Sequence, residues 1–131
     1  MKGHYVLELP TFLVGAATRV AAQSEIVALN NHQILVLARD GNGHGLANPV
    51  SAYRSIQIHD FSEATNLVGT SYETTATPVA PNGILVAGVA AGTSTVLVDI
   101  NDAVQLAKFG LNNGPVDNDN TLSEKWEALA M

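Results

Sequence analysis

Apolar and polar positions along this chain alternate with strand periodicity far more often than with helix periodicity. From His4 to Leu9, Tyr5, Leu7 and Leu9 fall on one side, and His4 and Glu8 on the other. Ser24 to Leu29 and Gln33 to Ala38 are short apolar runs separated by Asn30-Asn31-His32. Asparagine tolerates a positive φ better than other non-glycine residues, so this spacing predicts a tight hairpin. Arg54 to Phe61 alternates well, with Ile56 and Ile58 facing one way and Ser55, Gln57 and His59 the other. Gly83 to Val89, after a Pro81-Asn82-Gly83 turn, and Thr95 to Ile100 complete the predicted strands. Helical patterns are confined to Asp102–Phe109 and Leu122–Met131, with Ser123 placed to cap the second.

Two stretches repeat. Asp60-Phe61-Ser62-Glu63-Ala64-Thr65-Asn66-Leu67 aligns with Asp99-Ile100-Asn101-Asp102-Ala103-Val104-Gln105-Leu106, each after an apolar strand, with Asp, Ala and Leu at matching spacing. The offset of about 39 residues is that of one propeller blade. Asn31 to Val36 echoes Pro81 to Val86, and Glu25 to Leu29 echoes Glu127 to Met131. The pattern predicts an all-β fold, a partial β-propeller of about two blades built from repeated antiparallel strands. A closed propeller needs at least about four blades, so completion falls to association or to a longer chain. The expected organisation is a single β-rich unit. It has a leading strand and connector over 1–22, blade-like repeats over 23–70 and 71–110, and an acidic loop with the start of a further repeat over 111–131.

Composition narrows the partners. The chain is 47% hydrophobic and only 14% charged, with a formal net charge of -6 and six Lys and Arg, so no basic surface for nucleic acid is expected. No run of about 18 apolar residues predicts a membrane-spanning helix. Without cysteine there is no disulfide, thiolate metal site or cysteine nucleophile. Lys2 followed by Phe12 to Ala17 resembles a signal peptide weakly, but Glu8, Pro10 and Arg19 interrupt it, so a cleaved signal is not expected.

Several of these segments resemble the phytase-like family known for "esterase-like activity of phytase", particularly its fungal branch. The resemblance lies in Glu25 to Leu29, Gln33 to Asp40, Tyr53 to Ile58 running into Asp60 to Leu67, Leu106 to Gly114, and Leu122 to Leu129. It implies a propeller-like fold in a longer secreted protein. It also implies an extracellular location and hydrolysis of small phosphate or carboxylic esters, assisted by a cation such as Ca²⁺. Two other expectations stand beside it. One is a ligand-binding scaffold without turnover; the other is a self-associating chain that pairs through exposed strand edges.

Candidate site residues follow from oxygen-rich loops. Asp40-Gly41-Asn42-Gly43-His44-Gly45 has the alternation of a calcium loop, but His44 stands where an oxygen donor belongs and Ser51 where an EF-hand has its bidentate Glu. Asp40 and Asn42 are therefore expected as partial metal ligands, or as members of a glycine-rich turn. Arg39 and His44 beside them are expected to contact a substrate anion, or to pair locally. Asp117-Asn118-Asp119-Asn120-Thr121 matches the signature of aspartate-nucleophile phosphatases, yet only Val116 is apolar upstream, so the buried strand which that chemistry needs is absent. Asp117 and Asp119 are better read as hard-cation ligands or as a solvated loop. Glu25 and Glu127 begin equivalent repeats and would line a channel, and hold a cation there, if their strands lay innermost. No Gly-x-Ser-x-Gly elbow occurs, and no catalytic residue is assigned.

Overall fold

A computed structural model describes residues 3–130. Six strands form in chain order: β1 (Thr11–Val14), β2 (Ala17–Val20), β3 (Ala22–Ala28), β4 (Gln33–Arg39), β5 (Arg54–Asp60) and β6 (Thr93–Asp99). Two short helices, α1 (Ser71–Thr74) and α2 (Ala103–Ala107), flank β6. Strands β1 and β2 make a two-stranded hairpin. The other four form one antiparallel meander in the order β3-β4-β5-β6. The chain is thus mostly β. The expected repeats 23–70 and 71–110 contribute to a single sheet rather than to two blades, because β6 hydrogen-bonds directly to β5.

The central ladder is long and apolar on the inner positions of β4. Val36, Leu37 and Ala38 are completely buried. Register pairs Leu37 with Ile56 and Ile56 with Val98, so these three share one face. That face carries the core: Leu37 clusters with Ile100, Leu106 and Leu122, and Ile56, Trp126 and Leu129 pack against the cluster. Leu106 is delivered by α2, whose Asp102 cap accepts from the Val104 and Gln105 amides at 2.8 and 3.0 Å. The opposite face pairs Val36 with Gln57 and Ile34 with His59. Phe12 of the β1–β2 hairpin stacks on Tyr53 there, with ring centroids 5.6 Å apart.

Both copies of the Asp-x-x-x-Ala-x-x-Leu repeat end a strand in the same way. Asp60 accepts from the Ser62 amide and Asp99 from the Asn101 amide, and Leu67 and Leu106 are both buried. Because β5 and β6 are antiparallel neighbours, the two copies lie at opposite ends of one sheet. The repeat is a strand-exit turn, and its spacing is not a blade period.

Four predicted elements differ. The Asn30 turn needs no left-handed residue; Asn30 Oδ1 instead accepts from the His32 and Gln33 amides. His4 to Leu9 joins no ladder, but His4 and Val6 carbonyls accept single bonds from Leu67 and Gly92. Gly83 to Val89 is not a strand, since Asn82, Gly83 and Gly88 all take positive φ and turn the chain repeatedly. Residues 122–130 are not helical, so Ser123 caps nothing and Glu127 does not begin a strand. In return, Gly15 at φ 59 closes the β1–β2 hairpin, in a stretch whose apolar run resembled a signal sequence.

Truncating the buried Leu37 to Ala is expected to cost about 2–5 kcal/mol by urea unfolding. The exposed Val104→Ala should change stability by no more than about 0.5 kcal/mol.

Candidate functional site

The connection from β4 to β5 is held shut by Asp40. Its carboxylate accepts from the Ala52 amide at 2.6 Å and from Asn42 through its amide at 3.2 Å and its side chain at 3.4 Å. Asp40 and Asn42 thus come together as expected, but as the clasp of a turn, with the carboxylate oxygens taken up by N–H donors.

The tip of this loop docks on residues 112–124. The His44 amide donates to the Leu122 carbonyl at 2.8 Å. Asp117 then bonds both neighbours of the tip: its Oδ1 lies 2.7 Å from His44 Nδ1, and its Oδ2 accepts from the Gly45 amide at 2.9 Å. These bonds, the Gly45 amide first, hold the Asp117 carboxyl below its ordinary pKa. Asn113 fastens the base of the loop, exchanging two bonds with the Ser51 backbone. Gly43 is obligatory by contact: a Cβ there would lie 2.5 Å from the Glu124 backbone.

Beside the clasp sit two arginines placed opposite each other by the β4–β5 register, Arg39 and Arg54. Arg39 is well partnered. Its Nη2 lies 3.2 Å from Glu127, its Nε donates to the Trp126 carbonyl at 3.3 Å, and its Nη1 to the Asp40 carbonyl at 3.0 Å. Arg54 is 1% exposed and stands on the core face of β5, with its guanidinium 5.6 Å from the centre of the Trp126 ring. Only its Nη2 has an acceptor, the Asn42 carbonyl at 2.8 Å. Arg54 Nε and Nη1 and Trp126 Nε1 are buried without a partner. Burial lowers the Arg54 pKa, Asp40 opposes that shift and Arg39 adds to it. A buried charged donor left unsatisfied costs roughly 1–3 kcal/mol or more.

The other expected ligands lie apart. Glu25 sits at the bulge of β3 and accepts from the adjacent Ile26 amide, Asp119 is exposed, and Glu127 binds Arg39. Among the described residues no three His, Asp or Glu side chains come close enough to hold a metal ion. The expected oxygen set is therefore distributed over separate places and does not form one cage. Sequence reasoning overlooked Arg54, Trp126 and His59. The signal for Arg54 was its phase, because it shares a strand face with Ile56 and Ile58.

His59 belongs to a polar row on the opposite face. Tyr53 Oη accepts from Ser55 and from Gln57 Nε2, while Gln57 Oε1 accepts from Ser94 and lies 3.2 Å from His59 Nε2. With Gln57 Oε1 as acceptor, His59 carries its proton on Nε2, and its Nδ1 is buried without a partner. Burial lowers the His59 pKa, so the ring is neutral in the folded protein at neutral pH.

No family model matches the chain, and no solved structure matches it. A distant homologue is an uncharacterized secreted protein of the fungus Arthroderma benhamiae, 34% identical over 136 aligned residues. The alignment covers 97% of this chain and 27% of the relative, so the chain spans about a quarter of that protein's length.

Gly43→Ala is expected to push the loop tip from Glu124, cost about 1–3 kcal/mol and remove exchange protection from the Gly45 amide, as read by NMR. His59 gives a pH signature. Because its folded pKa lies below the ordinary 6.5, the unfolded chain binds the proton first. Stability is then greatest above that value, falls as pH drops towards the depressed folded pKa, and levels off beneath it. Urea unfolding at about pH 7.5 and about pH 5 should show this loss, and His59→Gln should reduce it.

Proposed function

We propose that this chain is a β-sheet unit of a secreted, phytase-like propeller protein, and that it serves as scaffold rather than as catalyst. The observation that carries the reading is β6. All seven of its residues are exposed, with Val96, Leu97 and Val98 at 53%, 54% and 43%, so the strand is open on both faces as well as along its free edge. A strand buried on neither side gains little from folding where it is, unless other sheets pack against it.

The surface area agrees. The chain exposes 8097 Å², against roughly 6,600 Å² for a folded monomer of this mass. The excess, roughly 1,500 Å², is about twice the area one partner contributes to a standard interface. A four-stranded antiparallel meander that needs covering on both faces suits one propeller blade between two others. The name of the fungal relative supports an extracellular place for this protein, and its greater length leaves room for further sheets. In the whole protein, the family resemblance would assign hydrolysis of phosphate or carboxylic esters, with Ca²⁺ as the expected cofactor.

When this chain is alone, we propose that a second copy takes the free edge. From Thr74 to Val98 there is no Asp, Glu, Lys or Arg, so no charge opposes pairing of β6 with its own copy. Sedimentation should show self-association, and Val96→Lys should shift the population to monomer. Phosphatase and esterase assays with and without calcium should show no turnover by the chain alone. Metal-dependent turnover would overturn the scaffold reading, and a monodisperse wild-type monomer would overturn the edge pairing.

A further inference from the structure

Arg54 borders a cavity of about 160 Å³ together with Tyr53, Ser55 and Asn101, with Asp99 and Val96 on its rim. The cavity is notable for what its buried atoms lack. Arg54 offers two N–H donors without an acceptor, and Asn101 offers Oδ1, a buried acceptor without a donor. The rest of Asn101 is committed: its Nδ2 donates to the Ser51 carbonyl and hydroxyl at 3.1 Å each. Asp99 is turned to its own chain by the bond from the Asn101 amide at 2.9 Å.

A chloride ion would satisfy the donors but not Asn101, and a carboxylate has the same deficiency at neutral pH. A tetrahedral oxyanion that keeps one hydroxyl satisfies both kinds of group, because its anionic oxygens accept from a guanidinium fork and its O–H donates to an amide oxygen. We propose that this cavity binds a hydrogen phosphate group, either free or as a phosphate monoester, with Arg54 as its donor and Asn101 as its acceptor. Charge balance permits it. Arg39 and Arg54 supply two positive charges where Asp40 faces Arg54 and Glu127, largely exposed, faces Arg39. The inference stands independently of the scaffold reading, since it rests on donors and acceptors within one chain.

Trp126 makes the site directly observable, because it is the chain's single tryptophan and lies over the Arg54 guanidinium. Titrating the protein with inorganic phosphate should change Trp126 emission saturably. Sodium acetate should be much weaker, and sodium chloride at matched ionic strength should be without effect. Phenyl phosphate in a parallel arm distinguishes the sources: binding as tight as phosphate means that the cavity admits monoesters, and no binding confines it to the free ion. Arg54→Lys, which loses the planar fork, should weaken phosphate by about tenfold or more. If that variant does not fold, Asn101→Asp keeps the side-chain shape, adds a repelling charge and should abolish the response, with circular dichroism confirming the fold. An emission change that is absent, that chloride matches, or that acetate matches or exceeds would overturn the proposal.

Discussion

The closure of the β4–β5 connection by Asp40 is the constraint on which the rest of this structure depends. β4 and β5 are the central strands, and their register sets Leu37 against Ile56 and Arg39 against Arg54. Between them runs a loop rich in Gly and Asn that has no apolar anchor of its own. Asp40 supplies the anchor by accepting from Asn42 and Ala52, which fixes both ends of the loop against β5. The loop tip then reaches residues 112–124, and that contact holds Leu122 on the core face beside Leu37 and Leu106. A single carboxylate therefore links the sheet, the apolar cluster and the C-terminal segment.

The two sides of β5 show how differently burial can be compensated. On one side, Ser55, Gln57 and His59 are buried, yet Tyr53, Ser94 and the row itself satisfy most of their polar atoms. Hydrogen bonds of that kind are worth about 1 kcal/mol each in net terms, and their main effect is to avoid the larger cost of leaving a buried group unpaired. On the other side, Arg54 has one carbonyl, the face of Trp126 and the field of Asp40, which together leave two of its donors unmet. Both sides have similar exposure. The difference lies in whether the neighbours offer acceptors.

What the sequence made legible was local. Strands β3 to β6 follow from alternation and apolar runs, and α2 from its Asp102 cap, because each depends on residues within one short window. The segments that differ lack that independence. Gly83 to Val89 has the composition of a strand, but the left-handed turns at Gly83 and Gly88 and the absence of a neighbouring edge leave it without ladder partners. Residues 122–130 have a helical spacing of apolar positions, yet Arg39 and the core cluster take Trp126 in an extended segment. The sites were legible only in part for the same reason. Asp40 with Asn42 is a neighbour relation in sequence, whereas His44 with Asp117 and Arg39 with Glu127 cross more than seventy residues, a distance that spacing cannot bridge.

An open strand and a buried unpaired cation would both be defects in a chain that has to be stable by itself, but they differ in kind. The open strand is an apolar deficit. Any sheet with a complementary face can reduce it, since area removed from water contributes roughly 25 cal/mol per Å² without requiring a particular partner. The Arg54 deficit is directional, because only acceptors at hydrogen-bond distance relieve it, and extra apolar cover would deepen it by excluding water. Packing against β6 therefore leaves the need at Arg54 unchanged. Filling the cavity likewise leaves β6 open, and the two features constrain the chain through separate physics at the two ends of the β5–β6 ladder and the surface around it.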